Sequence, residues 1–414
     1  MRREPARPAD LAIPAAPAPA PVPTVPFEPP AWAYWVLAGA AYAFFLFHKI
    51  DLTTADLGRH LKNGEWFLTH HRIPSTNFYS YTFPDFPAVN HHWGGGVLFS
   101  LVWRLAGFPG LSVLFAALSL ATWALFFDVA RREAGRELAF VASLLVTPLL
   151  AERLEIRPEA LSYLFGGIFF WVLWDRLRRA DRTRLLWVLP FVEALWVNCH
   201  IYFFLGPILV AVFWAAARLE DGGKGPSRTL AVLLLATAAA TLVTPFGIHG
   251  ALAPVEVFQN FGYKVVENQS IMTLIRVHYP RPNVQWFEFV FALLCLAGLA
   301  AFLRGRKIPL AAFLAAGLVS AMAWLALRNL TIFGFFMIPL LALAAQRAVF
   351  KDPASRLSGS WTLAAAALVA GLAFNAQGGT IAAAARALGV GLVPGNLRAA
   401  EYFEKNHLTG PRKK

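Results

Sequence analysis

Long apolar runs return along this chain at intervals too short for a soluble architecture. The first, Ala31 to Phe47, carries no charge and spans about 25 Å at 1.5 Å per residue. It ends at His48 and Lys49 without a small-residue cleavage site, which marks an anchor and not a signal peptide. Ten more runs follow near 110–130, 137–152, 159–175, 185–198, 201–217, 229–245, 286–303, 308–326, 329–346 and 361–375. The pattern predicts an all-α polytopic membrane protein of about 11 transmembrane helices. Several runs fall short of the roughly 20 residues that a perpendicular span needs, which implies local thinning or partial burial in protein. Composition agrees: 57% hydrophobic and 15% charged residues exclude a soluble enzyme, where about 25% would be charged. Cys199 and Cys295 are too few for a disulfide framework.

A formal charge of +13 would point to nucleic acid in a soluble protein. Here the basic residues cluster between apolar runs, which is how membrane topology is written, and no nucleic-acid partner is expected. With the N-terminus in the cytoplasm, four groups fall on inner loops: Arg131, Arg132 and Arg136; Arg176, Arg178, Arg179, Arg182 and Arg184; Arg218, Lys224 and Arg228; Arg304, Arg306 and Lys307. That orientation requires 94–107, closed by Gly107-Phe108-Pro109-Gly110, to lie on the outer surface as an interfacial helix. The expected domains are a disordered Pro/Ala-rich cytoplasmic segment at 1–30, a transmembrane domain over 31–375, and an outer tail at 376–414. Within the second, the loops 49–110 and 245–285 are too long for bare connections and direct attention to the outer, periplasmic or extracellular, face of a cytoplasmic (inner) membrane.

In the first loop a helical pattern starts at Thr53 and stops at Gly64, placing Asp56 and His60 on one face, four residues apart. The pair suits a general base with its orienter, or two ligands of a divalent metal, the one cofactor the pattern leaves open. The competing reading is a capping box, Thr53-x-x-Asp56. The adjacent histidines His70-His71 and His91-His92 diverge too much to share a metal and are expected to be solvated loop residues, with His92-Trp93 on the side of Asp56 where the interfacial helix begins. A turn dense in charge, Glu152-Arg153-Leu154-Glu155-Ile156-Arg157-Pro158-Glu159, separates two apolar runs. Pro158 holds Arg157 extended and aims its guanidinium, either at phosphate or at a salt bridge with Glu155 or Glu159. Two further edges, Trp196-Val197-Asn198-Cys199-His200 and Leu327-Arg328-Asn329, carry polar groups that either satisfy helix ends or bind an anion. Asp56, Arg157, His200 and Arg328 come from four segments yet share one expected membrane depth. No Walker or other Gly-rich phosphate loop and no hydrolase elbow is present.

The order of these motifs resembles the GT-C superfamily of polyprenyl-phosphate-sugar-dependent membrane glycosyltransferases. The matching segments are Ala55–Leu61 with Gly64-Glu65, Ile73–Thr76 with Phe78–Thr82, Arg157–Glu159, Trp196–His200, Thr244–Gly247, Glu267-Asn268-Gln269 and Arg328-Asn329. The chain departs from the family pattern at Thr54, where an acid is expected, at Gly58 and Arg59, where tryptophans are, and at His92-Trp93, where a Glu-Trp pair is. The resemblance implies a GT-C-like fold with two interfacial helices in the first outer loop, and the tail from Leu397 to Gly410 resembles the start of the family's outer soluble domain. It implies transfer of a sugar, with inversion, from a polyprenyl-phosphate donor held in membrane lipid to an unknown acceptor. Asp56 would be the base and His60 its partner, with Arg157, Glu159, Asn198, His200, Arg328, Asn329, His92, Trp93 and Gln269 as substrate-binding residues. A catalytically degenerate lipid-phosphate-binding scaffold and a secondary transporter are the alternatives, but a transporter would carry its ionisable groups at mid-bilayer and show repeated halves, neither of which is seen here.

Overall fold

The computed structural model describes residues 28–53, 56–77, 79–178, 183–220, 226–257, 265–279, 282–352 and 354–406. The Pro/Ala-rich segment expected at 1–30 therefore lies outside the described residues up to 27, as do Thr54, Arg179, Arg182, Lys224 and the last eight residues. Among the described residues there are fifteen α-helices and no strand. They are α1 (Ala31–Leu46), α2 (Leu57–His70), α3 (Trp93–Ala134), α4 (Arg136–Leu150), α5 (Glu159–Arg178), α6 (Leu189–Trp196), α7 (Leu205–Glu220), α8 (Pro226–Ala240), α9 (Gly247–Val257), α10 (Ile271–Arg276), α11 (Pro282–Leu303), α12 (Leu310–Leu325), α13 (Leu330–Val349), α14 (Gly359–Ala387) and α15 (Arg398–Lys405).

Each apolar run of the sequence is helical, and the protein is an all-α membrane protein. Among the described residues, five helical stretches are long and apolar enough to cross a membrane: Trp93–Ala134, Ile201–Glu220, Pro282–Leu303, Leu327–Val349 and Gly359–Ala387. Their burial separates centre from rim. The apolar window of Leu327–Val349 is 83% buried in protein, whereas those of Pro282–Leu303 and Gly359–Ala387 are 22% buried. A helix apolar all round and enclosed is a core helix; one that leaves most of its apolar surface uncovered in a membrane protein faces lipid. Around α13 the core is aromatic: Phe336 lies 4.8 Å from Phe126 and 5.0 Å from Phe170, ring centre to ring centre.

Two local features position the candidate site. Gly107 adopts φ 61°, ψ −156°, which breaks α3 into two helical halves at the turn expected from Gly107-Phe108-Pro109-Gly110. Helix α2 then crosses the first half so closely that a Cβ on Gly64 would collide with the Gly96 carbonyl. Gly64 therefore serves a helix crossing and is not a stop: α2 starts at Leu57 and continues to His70, four residues later at its start and six at its end than the expected 53–64. At the C-terminal end α14 extends to Ala387, past the expected limit near 375, because the stretch 376–387 holds no proline and its alanines offset the cost of Gly378 and Gly379. The chain then runs along the segment that leads into α2, with Ile50 N donating to Gly391 O at 2.7 Å and Val393 N to Ile50 O at 2.9 Å.

Candidate functional site

Helix α4 delivers the chain to the charged turn, and Pro158 starts α5, so that Arg153, Arg157 and Glu159 stand at one end of the helical body. The short turns Val266–Asn268 and Leu327–Asn329 bring Glu267 and Arg328 to the same place, tied together by Leu327 N donating to Gln269 O at 3.0 Å. Asp56, at the N-terminal end of α2, completes the wall. A cavity of about 420 Å³ results, lined by Asp56, Glu152, Arg153, Arg157, Glu267 and Arg328, among others.

Ionic contacts organise its floor. Glu159, only 4% exposed, accepts from Arg153 Nε at 3.1 Å and Nη2 at 3.0 Å and also from Arg328 Nη2. Tyr163 Oη donates to the same carboxylate at 3.3 Å. Nearer the mouth, Glu267 bridges all three guanidinium groups, accepting from Arg153 Nη1 at 2.6 Å and lying 3.8 Å from Arg157 and 3.9 Å from Arg328. Arg328 also donates to Asn268 Oδ1 at 3.2 Å and stacks over the Tyr202 ring. Burial opposes charge on Arg153, but Glu159 and Glu267 outweigh it and hold the guanidinium firmly charged. One expected arrangement changes accordingly: Arg157 faces Glu267, while Arg153 takes the Glu159 partner expected for Arg157 and Glu159 also reaches Arg328 from another helix.

Asp56 is different from the other acids. Its carboxylate is 57% exposed and faces Arg59 at 3.5 Å, and it makes no capping hydrogen bond although it stands at the N-cap of α2. Thr53 is no cap either, because its N–H and Oγ1 bond Asp51 at 2.9 and 2.7 Å. The capping-box reading is thus overturned in favour of a carboxylate that looks into the cavity.

Behind Asp56 runs a file of imidazoles. His60 packs 5.2 Å from His92, which packs 5.1 Å from His200, ring centre to ring centre. Burial pushes His60 and His200 down to about 3, so both are neutral at physiological pH, and it pushes His91 down to about 4 and lowers His92 as well. His91 and His92 are half-buried, their rings packed 4.0 Å apart, so they are only partly solvated, while His70 and His71 are exposed. His200 Nδ1 is 2.8 Å from Ser162 Oγ, which accepts from Trp196 Nε1 at 2.7 Å.

The remaining expected residues hold elements together outside the cavity lining. Asn198 accepts from Trp93 Nε1 at 2.8 Å and donates to Val243 O at 2.7 Å, and its carbonyl accepts from Gly94 N at 2.8 Å. Asn329 accepts from Tyr202 Oη at 2.8 Å, and Gln269 contributes its carbonyl to Leu327. Among the described residues no group of three or more His, Cys, Asp or Glu side chains is disposed to hold a metal ion. The imidazoles of His60, His92 and His200 pack against one another, and Glu159 and Glu267 are engaged by arginine.

No protein-family model matches the sequence, and no curated protein does. The fold does have solved counterparts. The oligosaccharyltransferase AglB from Archaeoglobus fulgidus, in complex with an inhibitory peptide and a dolichol-phosphate, aligns with TM-score 0.59 at 13% identity over 93% of this chain. The apo form of the Archaeoglobus fulgidus oligosaccharyltransferase aligns with TM-score 0.61 at 12% identity, again over 93% of this chain. The fold is GT-C-like. This chain spans 60% of the length of those proteins.

In this GT-C-like body the residues that sequence reasoning missed are Arg153 and Glu267. Arg153 lies in the same charged turn as Arg157, and its one available signal is the alternation of acid and base from 152 to 159. Glu267 opens the Glu267-Asn268-Gln269 motif, of which only Gln269 was expected to bind substrate.

Proposed function

We propose that this protein is a membrane glycosyltransferase that moves a sugar from a polyprenyl-phosphate carrier to an acceptor hydroxyl. The observation that carries the reading is the single cavity in which the exposed carboxylate of Asp56 shares its walls with three guanidinium groups, on a GT-C-like fold. That one solved counterpart was captured with a dolichol-phosphate and a peptide supports a lipid-phosphate donor and a separate acceptor. In the reaction, the acceptor oxygen attacks the anomeric carbon as the bond from that carbon to the phosphate oxygen breaks, which inverts the centre. Asp56 takes the hydroxyl proton. Arg157 and Arg328 stabilise the charge that builds on the departing phosphate, an effect worth about 3 kcal/mol per donor. His60, neutral and buried one helical turn from Asp56, fixes the surface against which the acceptor lies.

Glu267 gives the site a built-in counter-ion. It occupies the point between Arg153, Arg157 and Arg328 that a phosphate would take, so donor binding exchanges a carboxylate for a phosphate at little cost in net charge. The Arg-rich loops favour a cytoplasmic N-terminus in a cytoplasmic membrane, which puts the cavity on the outer face. The test compares lipid-linked sugars and surface glycans by mass spectrometry in cells carrying the wild-type gene, no gene, or Asp56→Asn. Accumulation of one lipid-linked sugar together with loss of one glycan, in both the deletion and the variant, is the expected result. Unchanged profiles in both would reject the transferase.

A further inference from the structure

A second cavity, of about 390 Å³, lies at the opposite end of the helical body. Helix α4 links the two: it begins at Arg136 in this cavity and ends beside the charged turn of the candidate site. The walls carry Arg131, Arg136 and Arg356 against one acid, Glu137, with Trp35 closing one side. Arg131 stacks 5.7 Å over the Trp35 ring and pairs with Asp128. Arg136 donates from Nε to Glu137 Oε1 at 2.8 Å, stacks 5.4 Å over Tyr34, and meets Glu28 only at 3.9 Å. These contacts orient the guanidinium groups without using all five donors of each. Gly135, at φ 86°, leaves the space in which the side chain of Arg356 lies, since a Cβ there would collide with it.

Glu137 is the telling residue. It is 6% exposed, and its Oε2 is buried without a hydrogen-bond partner. A buried carboxylate oxygen left without a donor is costly, so a group that supplies one is expected. The cavity therefore offers cationic forks for an anion and, beside them, an acceptor for a cationic donor. Its Trp35 wall adjoins an exposed apolar stripe on α1, where Trp32 and Val36 are 67% and 56% exposed one turn apart.

We propose that this cavity binds a glycerophospholipid headgroup that carries a phosphodiester and a primary ammonium. The phosphate sits on Arg131, Arg136 and Arg356, the ammonium donates to Glu137 Oε2, and the acyl chains follow the α1 stripe. Charge at the headgroup is matched at both ends, and neither part of the candidate site takes part.

Native mass spectrometry of the delipidated full-length protein tests this, with phosphatidylethanolamine, phosphatidylcholine of the same chains, and inorganic phosphate as probes. Phosphatidylethanolamine is expected to bind at one equivalent and phosphatidylcholine at least about tenfold more weakly, because its trimethylammonium has no N–H to donate. Arg356→Ala, a loop substitution, should weaken binding about tenfold and Arg356→Lys by less. Glu137→Gln should bring the two lipids to similar affinity. Wild-type affinity in Arg356→Ala would overturn the site. Equal binding of both lipids to wild type would overturn the ammonium contact, and displacement by inorganic phosphate at the lipid's own concentration would overturn the lipid assignment.

Discussion

The two ends of α5 hold buried carboxylates in contrasting ways. At one end Glu159 is gripped by Arg153 and Arg328, and the network continues through Glu267 into an open cavity. At the other, Asp175 accepts from Arg132 at 3.1 Å, and Arg132 also pairs with Asp128, which accepts from Trp171 Nε1 at 2.8 Å. Trp174 closes that end on Glu133 at 2.8 Å. Both ends neutralise charge within an apolar body. Only the first combines guanidinium groups from two separate turns with a carboxylate, Asp56, that remains largely exposed. The contrast separates an ionic network that Arg132 closes between two buried acids from one that continues through Glu267 into a cavity beside an exposed carboxylate.

The largest effect should come from cutting the first network at its root. Glu159→Ala removes the buried acid shared by Arg153 and Arg328 and leaves both, together with Arg157, on the single half-buried carboxylate of Glu267, which is expected to cost about 3 kcal/mol, read as loss of the folded species on size-exclusion chromatography in detergent. Asp175→Ala, which leaves Arg132 its second acid Asp128, should cost clearly less. An equal loss at both ends would erase the distinction.

Asp56→Asn should do the reverse, lowering transfer by about 10²–10⁴-fold while leaving the melting temperature unchanged, because an exposed pair such as Asp56–Arg59 is worth about 0–1 kcal/mol. Activity within a few-fold of wild type would remove Asp56 as the base.

Acid should weaken the site end through its imidazoles. His60 and His200 sit near 3 when folded against an ordinary 6.5, so the unfolded chain takes up their protons first as pH falls. Stability is complete above about pH 6.5 and declines below it, by at most about 1.4 kcal/mol per pH unit for each histidine, until their folded values are reached. A thermal melt from pH 7.5 to 5 should show the fall, and His60→Gln should flatten it. A flat profile in wild type would show that neither imidazole needs to be neutral for folding.

The smallest effect is expected at the mouth. Glu267→Gln removes the counter-ion and should tighten binding of undecaprenyl phosphate to the purified protein by about tenfold, whereas Arg328→Lys should weaken it by losing the planar fork. Weaker binding in Glu267→Gln would mean that the carboxylate supports the arginines more than it competes for them.

Much of the fold is legible in the sequence because apolar runs of helical length have few other ways to bury their backbone polar groups in lipid. The break at Gly107 was legible as well, from a Gly-Phe-Pro-Gly turn that no helix passes through unbent. The capping alternative at Thr53 was locally plausible and failed only because Asp51, two residues away, competes for the same groups. Asp56, Arg157 and Arg328 could be picked out as ionisable residues at helix edges, and they do line one cavity. Asn198 and Trp93 were equally visible, yet they spend their polar groups on each other.

By itself, then, the chain's apolar periodicity determined that it folds as membrane helices, and the placing of its charges determined that chemistry belongs at helix ends. Which guanidinium meets which carboxylate was decided by the tertiary structure alone. Arg153 and Arg157 are four residues apart in one turn, and nothing local tells them which will reach Glu159, or that Glu267 and Arg328 arrive from more than a hundred residues away. Ion pairing depends steeply on distance within an apolar body, and those distances are set by how the helices pack, as at the crossing of Gly64 on Gly96, and not by spacing along the chain.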